Sequence, residues 1–215
     1  MQVCLASTSP ARLMLLRQAG IEPRTLAPDV DEDAVIAQVE AAERRRLDAD
    51  EHVLLLARRK AADVAARLAA EGAAFAGIVI GGDSMFEIDG EILGKPHTAE
   101  VATRRWRAMR GRTGVLHSGH SVIRVTPGAA DREAHAVAAA SVSFAADVTD
   151  AEIEAYVASG EPLKVAGAFT IDSLGGPFID RVVGDPSTVV GMSLSTVRRL
   201  AVELGLAWPD LWNRG

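Results

Sequence analysis

Four places along the chain carry residues able to handle a phosphate chain. Ser7-Thr8-Ser9-Pro10-Ala11-Arg12 joins an apolar run to a helix signal. Hydroxyls and free amides at a helix start make an anion site, and Arg12 adds a guanidinium able to grip a phosphate through two donors. An arginine in the first helical turn opposes the helix dipole, a local cost that points to a role beyond helix formation. Asp83 follows Gly81-Gly82 at the end of an apolar strand, where open α/β sheets bind ligands. Its carboxylate could hold Mg²⁺ or orient a water. Lys60 and Lys95, the latter in Gly94-Lys95-Pro96, offer ammonium groups. Each place also has a plainer reading: a Ser-Pro helix cap, a turn-forming aspartate, a solvated lysine, and a charged helix face shared by Arg58, Arg59 and Lys60. Taken together, they are what hydrolysis of a polyphosphate requires, with cations holding the phosphate charge and a carboxylate positioning the nucleophilic water.

The elements that must position these residues can be read from patterning. Residues 2–6 form a short buried strand ending at the Ser/Thr turn. Ser9-Pro10 caps a helix that Gly20 stops. Residues 21–27 are extended, and Asp29 to Asp33 is an acidic turn. Residues 42–50 are the most loop-like stretch. The clearest helix spans 50–71, with Leu54, Ala57, Ala61, Val64, Ala65 and Leu68 on one stripe, closed by Gly72. Residues 77–81 suit a central strand buried on both faces, with Asp83 just past its end. Asp89-Gly90 supplies a hairpin turn, and a helix over 98–110 stops at Gly111. Strands follow over 115–125 and 135–145. A capping box at Thr149 opens a helix that ends at Gly160. Residues 164–183 are short strands and loop. A last helix covers 193–204, and the tail with Trp208 and Trp212 packs on the surface. Helices and strands interleave, so the class is α/β with a mixed sheet in one domain over residues 1–215.

Composition excludes several function classes. The 215 residues carry a net charge of −6, which argues against a nucleic-acid coat, although a small anionic ligand needs only local positive charge. Only three of the 23 basic residues are lysines, Lys60, Lys95 and Lys164; a compact ammonium kept among arginines suggests a specific use. The single cysteine, Cys4, excludes an internal disulfide and a CxxC zinc site, and its apolar neighbours make it a small core residue. No apolar run is long enough to span a membrane and no signal pattern opens the chain, so the expected compartment is the cytoplasm. Gly90 to Pro96 is one residue short of a phosphate loop and has proline where a metal-binding hydroxyl belongs. Gly191-Met192-Ser193-Leu194-Ser195 lacks the last glycine of a nucleophile elbow. No dinucleotide fingerprint follows the first strand. His117 and His120 lie three apart on a strand and point to opposite faces, so they do not share a metal.

The ordered set of motifs resembles the Maf family of nucleoside triphosphate pyrophosphatases. It comprises Ser7-x-Ser9-Pro10-x-Arg12, Val30-Asp31-Glu32, Ala57-x-x-Lys60-Ala61, Gly82-Asp83-Ser84, Gly94-Lys95-Pro96, Ala166-Gly167-Ala168-Phe169 and Gly184 to Gly191-Met192. The resemblance covers about residues 2–204. It implies an elongated mixed α/β fold of two lobes around a central cleft, similar to inosine triphosphatases, and often dimeric. It implies hydrolysis of noncanonical or surplus nucleoside triphosphates to monophosphate and pyrophosphate with Mg²⁺ or Mn²⁺. Carried onto this chain, Asp83 is the catalytic base and, with Glu32, serves the metal or water. Ser7, Ser9, Arg12, Lys60 and Lys95 surround the triphosphate. Ala11, Ser84 and Asp172 fall where the family reads the base. Its dTTP/UTP branch has arginine, and its 7-methyl-GTP branch a bulky aromatic, where this chain has Ala11. Those branches carry threonine or glutamine at Ser84, and glutamine or glutamate at Asp172. Ala11 opens the pocket, and an ionised Asp172 offers only acceptors, favouring a base with an N–H edge such as guanine. A second reading, from the family's link to septum formation, is a nucleotide-binding regulator of cell division without turnover.

Overall fold

The computed structural model describes residues 1–70 and 75–213. The elements are β1 (Gln2–Ala6), α1 (Pro10–Gln18), β2 (Arg24–Thr25), α2 (Glu32–Glu43), α3 (Ala49–Ala70), β3 (Gly77–Ile88), β4 (Glu91–Leu93), α4 (Ala99–Met109), β5 (Thr113–Val125), β6 (Arg132–Phe144), α5 (Asp150–Ala158), β7 (Ile179–Val183), α6 (Pro186–Val190) and α7 (Leu194–Glu203). The class is mixed α/β, with helices flanking sheet. Two compact units emerge. The first comprises residues 1–83, 118–138 and 191–215, the second residues 84–117 and 139–190. Strands β3, β5 and β6 contribute residues to both.

In the first unit β1 lies between β2 and β3 and is parallel to both, with Leu5 opposite Ile80 and Ala6 opposite Gly81. The apolar faces of β1 and β3 bury Cys4, Ala6 and Val79 against Ala61, Val64, Ala65 and Leu68 of α3. Cys4 is the small core residue its neighbours suggested. Helix α3 sits so close that a Cβ on Gly81 would stand 2.2 Å from the Ala57 carbonyl oxygen and 2.8 Å from the Ala61 Cβ. Only glycine fits there, and that contact sets how near the helix comes to the strand end. At the C-terminus Leu211 is buried, while Trp212 is exposed and lies over Gly20.

In the second unit the end of β3 pairs antiparallel with β4 through the Asp89-Gly90 turn, both residues having positive φ. Strand β6 pairs antiparallel with β7. Six of the chain's nine aromatic side chains gather here. Trp106 meets Phe144, Tyr156 and Phe178 edge to face, and Phe86 meets Phe144 and Phe169 likewise, the arrangement that ring quadrupoles favour. The expected capping box forms at Thr149 and Glu152.

Several expectations need correction. Asp83 is not past a strand end, because β3 runs on to Ile88. The apolar run stops at Gly81, but the strand goes on through the half-buried Asp83, Ser84 and Met85 to the buried Phe86 and Ile88, so the end of an apolar run is not a terminus. The acidic stretch is not merely a turn. Asp31 accepts from the Ala34 amide and caps α2, with Glu32 and Asp33 in its first turn, where the dipole favours acids. Residues 44–48 remain as loop. The extended stretch over 21–27 shrinks to β2, and residues 161–178 wind mainly into short 3₁₀ turns. Helix α6 was not foreseen. The proposed helix stop at Gly72 lies outside the described residues.

Gly81→Ala is expected to force α3 off β3, costing about 1–3 kcal/mol by overpacking. Urea denaturation of the two proteins measures this; an unchanged midpoint contradicts the close approach.

Candidate functional site

The first unit brings together Ser7, Ser9, Arg12, Glu32, Lys60 and Asp83. Helical spacing explains Lys60. It lies three residues after Ala57 and four before Val64, on the face turned to the sheet, so it is buried while Arg58 and Arg59 are exposed. The charged-face alternative therefore holds for its two neighbours and not for Lys60. Its Nζ donates to Asp83 Oδ1 at 2.7 Å and pairs with Glu32 Oε1 at 2.8 Å. The Lys60 and Asp83 side chains are only 9% and 14% exposed, whereas Glu32 is 50% exposed. The Lys60–Asp83 pair is thus the sequestered one, and removing either member would leave an uncompensated buried charge. The Glu32 contact is an open ion pair of small net worth. No described residue donates to Asp83 Oδ2.

Arg12 is the second organising cation. Its Nε donates to the Gly191 carbonyl at 2.8 Å, and its Nη1 donates to the Gly82 carbonyl at 2.7 Å and to Ser7 Oγ at 3.2 Å. One guanidinium thus ties the turn after β1, the residue before Asp83, and Gly191 at the end of the C-terminal motif. Burial lowers the Arg12 pKa, an effect opposed by the Asp83 and Glu32 carboxylates, so those charges lie close enough to be felt. The hydroxyls of the turn are likewise engaged. Ser7 Oγ accepts from the Ser9 amide at 3.1 Å, and Ser9 Oγ accepts from the Arg12 amide at 3.4 Å. Two of the amides at this helix start, those of Ser9 and Arg12, are therefore capped by the turn's own side chains. Ala11 occupies the first turn of α1.

The remaining expected residues belong to the second unit. Ser84 continues β3. Lys95 is exposed on a segment held by Arg105, which donates to the Gly94 carbonyl, and by the His97 amide, which donates to Leu163 O at 3.3 Å. Asp172 is exposed on the turn after Phe169. The Ala166-Gly167-Ala168-Phe169 motif is a backbone device. Gly167 and Ala168 have φ of 73° and 63°, and Trp106 Nε1 donates to Ala168 O at 2.7 Å.

Could this site hold a divalent metal? Asp83 and Glu32 both reach a single cationic nitrogen, so both reach one point. Mg²⁺ is held by one or two carboxylates together with substrate phosphates rather than by an all-protein cage. The donor pair fits such an ion, and no cluster of three or more metal-ligating side chains occurs among the described residues. His120 is no part of this: its Nε2 accepts from the Ser193 amide at 2.9 Å, at the start of α7. A separate groove of about 370 Å³ involves α2 and α3 and is lined by Asp29, Asp31 and Asp63 with Arg59. Three carboxylates disfavour a triphosphate there, and Asp31 and Asp63 already serve as acceptors for local amides.

Two residues were missed as organisers by sequence reasoning, Asp31 and Gly191. The signal for Asp31 was present as an aspartate followed by two acids and a run of helix formers. Gly191 had no local signal, because its role is to offer a carbonyl to a residue 179 positions away.

The motifs meeting at Lys60 and Arg12 define a family. The chain belongs to the Maf family: the family model described as Maf-like protein matches residues 2–204. It is 61% identical over 214 residues to a nucleoside triphosphate pyrophosphatase of Leifsonia xyli, covering 100% of this chain and 98% of the relative. It is 53% identical to one of Rhodococcus jostii, covering 97% and 94%, and 47% identical to one of Corynebacterium efficiens over the full length of both. The solved Ham1 protein of Staphylococcus aureus aligns over 98% of both chains at 12% identity with a TM-score of 0.37, too low a score for that likeness to bear on the fold. Among the described residues no helix is long and apolar enough to cross a membrane.

Arg12→Lys is expected to lose about 1–3 kcal/mol, because a lysine cannot serve Gly82, Gly191 and Ser7 together and leaves buried carbonyls unpaired. Chemical denaturation tests this; wild-type stability in the variant contradicts the clamp.

Proposed function

We propose that this protein is a nucleoside triphosphate pyrophosphatase, converting a nucleoside triphosphate and water to the nucleoside monophosphate and pyrophosphate. The observation that carries the reading is the buried Lys60 ammonium held by Asp83 and Glu32, in a chain whose full-length relatives bear that name. A lysine buried among core residues with two carboxylates on it is costly as architecture. It makes sense as a charge-balanced seat for a polyanion and its counter-ion.

The reaction follows from the groups in place. Asp83, with Oδ1 fixed by Lys60, is oriented so that Oδ2 can accept a hydrogen bond from a water. That water attacks the α-phosphorus and passes a proton towards Asp83 as the new P–O bond forms. The bond from the α-phosphorus to its bridging oxygen breaks, and the electron pair leaves with pyrophosphate. Lys60 and the buried charge of Arg12 stabilise the negative charge that develops, more strongly than in water because the site is sequestered. Ser7 and Ser9 hold the opening turn in shape. A divalent cation, Mg²⁺ or Mn²⁺, would be held by Asp83 and Glu32 and would neutralise phosphate charge and acidify a bound water. Within the second unit Asp172 and Ser84 are the groups that meet the base, and an acceptor-only Asp172 suits a base with an N–H edge. We place the protein in the cytoplasm, acting on its nucleotide without nucleic acid or membrane, and extend to it the dimer that the family resemblance implies.

Asp83→Asn is expected to cut pyrophosphate release by about a hundredfold or more, measured across dTTP, UTP, CTP, GTP, 7-methyl-GTP and inosine triphosphate with Mg²⁺. Retained turnover removes Asp83 from its role. Orthophosphate as the product contradicts cleavage at the α-phosphorus, and a wild-type protein that cleaves nothing in the panel favours a non-hydrolysing nucleotide-binding regulator. Chelation by EDTA should abolish activity and added Mg²⁺ restore it; turnover that survives chelation excludes the metal. Asp172→Gln should move preference towards uracil or thymine, and an unaltered ranking excludes Asp172 as the base contact.

A further inference from the structure

We propose that Glu161 is a positioning residue for base selection: its carboxylate folds residues 170–175 into the shape that presents Asp172. The inference rests on the reading above in which Asp172 meets the base. Glu161 opens a 3₁₀ turn after α5 and gathers five donors. Its Oε1 accepts from Tyr156 Oη at 3.0 Å, from Thr170 Oγ1, and from the Gly175 amide at 3.3 Å. Its Oε2 accepts from Ser173 Oγ at 2.6 Å and from the Leu174 amide at 3.4 Å. Four of these donors lie on residues 170, 173, 174 and 175, so they bracket Asp172 on both sides.

The segment is also locked by shape. A Cβ on Gly175 would stand 2.5 Å from Thr170 O and 2.7 Å from Tyr156 Oη, so the turn closes only with glycine there. Upstream, Trp106 holds Ala168, and Tyr156 Oη accepts from the Thr170 amide at 3.2 Å. Asp172 is left as the exposed middle of a segment fixed at both ends. Burial alone would raise the Glu161 pKa, but the hydrogen bonds from Ser173, Thr170, Tyr156 and Leu174 outweigh it and hold the carboxyl below the usual range. The clamp is therefore an anion at neutral pH. A carboxylate meant only for solubility would not collect backbone amides and hydroxyls from a single turn. One that fixes a neighbouring acceptor would, because discrimination between bases depends on where that acceptor is held. The ligand chemistry this loop fits is a nucleobase edge carrying N–H donors.

The test uses full-length protein, Mg²⁺ and the nucleotide panel above, with Glu161→Gln, Ser173→Ala and Asp172→Ala. In Glu161→Gln, KM for the best nucleotide should rise about tenfold with kcat changed less than about threefold, and the spread of kcat/KM across the panel should shrink about tenfold. Ser173→Ala should move both quantities the same way by less. Hydrogen exchange at the Leu174 and Gly175 amides should quicken in Glu161→Gln. Should Glu161→Gln lower kcat/KM by one common factor for every nucleotide while Asp172→Ala flattens the spread, Glu161 merely supports the fold and the proposal fails alone. Should Asp172→Ala leave the spread intact, the base contact itself is wrong and this inference falls with it. If Glu161→Gln does not fold, Ser173→Ala decides, and an unaltered spread in that variant overturns the proposal.

Discussion

The site depends on one buried ion pair. Lys60 and Asp83 meet at 2.7 Å with both side chains largely removed from water. Desolvating two charges is unfavourable unless the geometry is held firmly, and much of the first unit can be read as the means of holding it. Gly81 lets α3 approach β3 closely enough for the lysine to reach. The Arg12 guanidinium fixes the carbonyl of Gly82, the residue before the aspartate, and joins it to the opening turn and to Gly191. Asp31 starts α2 at the point that delivers Glu32 to the same ammonium. Remove the requirement for that pair and there is little reason for two glycines, a buried arginine and a capped acidic helix to occupy these positions.

The two compact units use different physics. In the first, small residues allow close packing of helix on sheet, and the buried cations are satisfied by carboxylates at Lys60 and by backbone carbonyls at Arg12. In the second, a cluster of edge-to-face aromatics carries the core. Among the polar groups there, the Glu161 carboxylate gathers donors from one turn and organises that turn rather than a reaction. Preorganisation is the common thread: charged side chains are spent on holding other groups still, in line with a chemistry made mainly of positioning and electrostatics.

Much of this was legible beforehand. The caps at Ser9 and Thr149 are local hydrogen-bond devices, so a few adjacent residue types announce them. The stripe of α3 and the hairpin at Asp89-Gly90 are periodic or turn signals of equally short range. The family resemblance, carried by motifs from Ser7 to Met192, agrees with the match over residues 2–204. Helix α2 went unread because an acid-rich beginning resembles a solvated turn when the cap is not weighed. The continuation of β3 went unread because a strand can pass from a doubly buried stretch to a half-exposed one without ending.

The sequence by itself determined the class of fold, the residue types on offer and the family, because these follow from short-range periodicity and from motifs in fixed order. Only the tertiary structure decided what those residues do to one another. Arg12, expected to point at phosphate, donates to the Gly82 and Gly191 carbonyls and to Ser7; Lys60, one of three adjacent basic residues, is the one that turns inward; Glu161, silent as a lone acid, becomes the knot of a turn. The physical reason is the same in each case. A hydrogen bond between groups 23, 70 or 179 positions apart leaves no local trace in a chain, because its energy depends on distance and burial that exist only after the sheet and helices have packed.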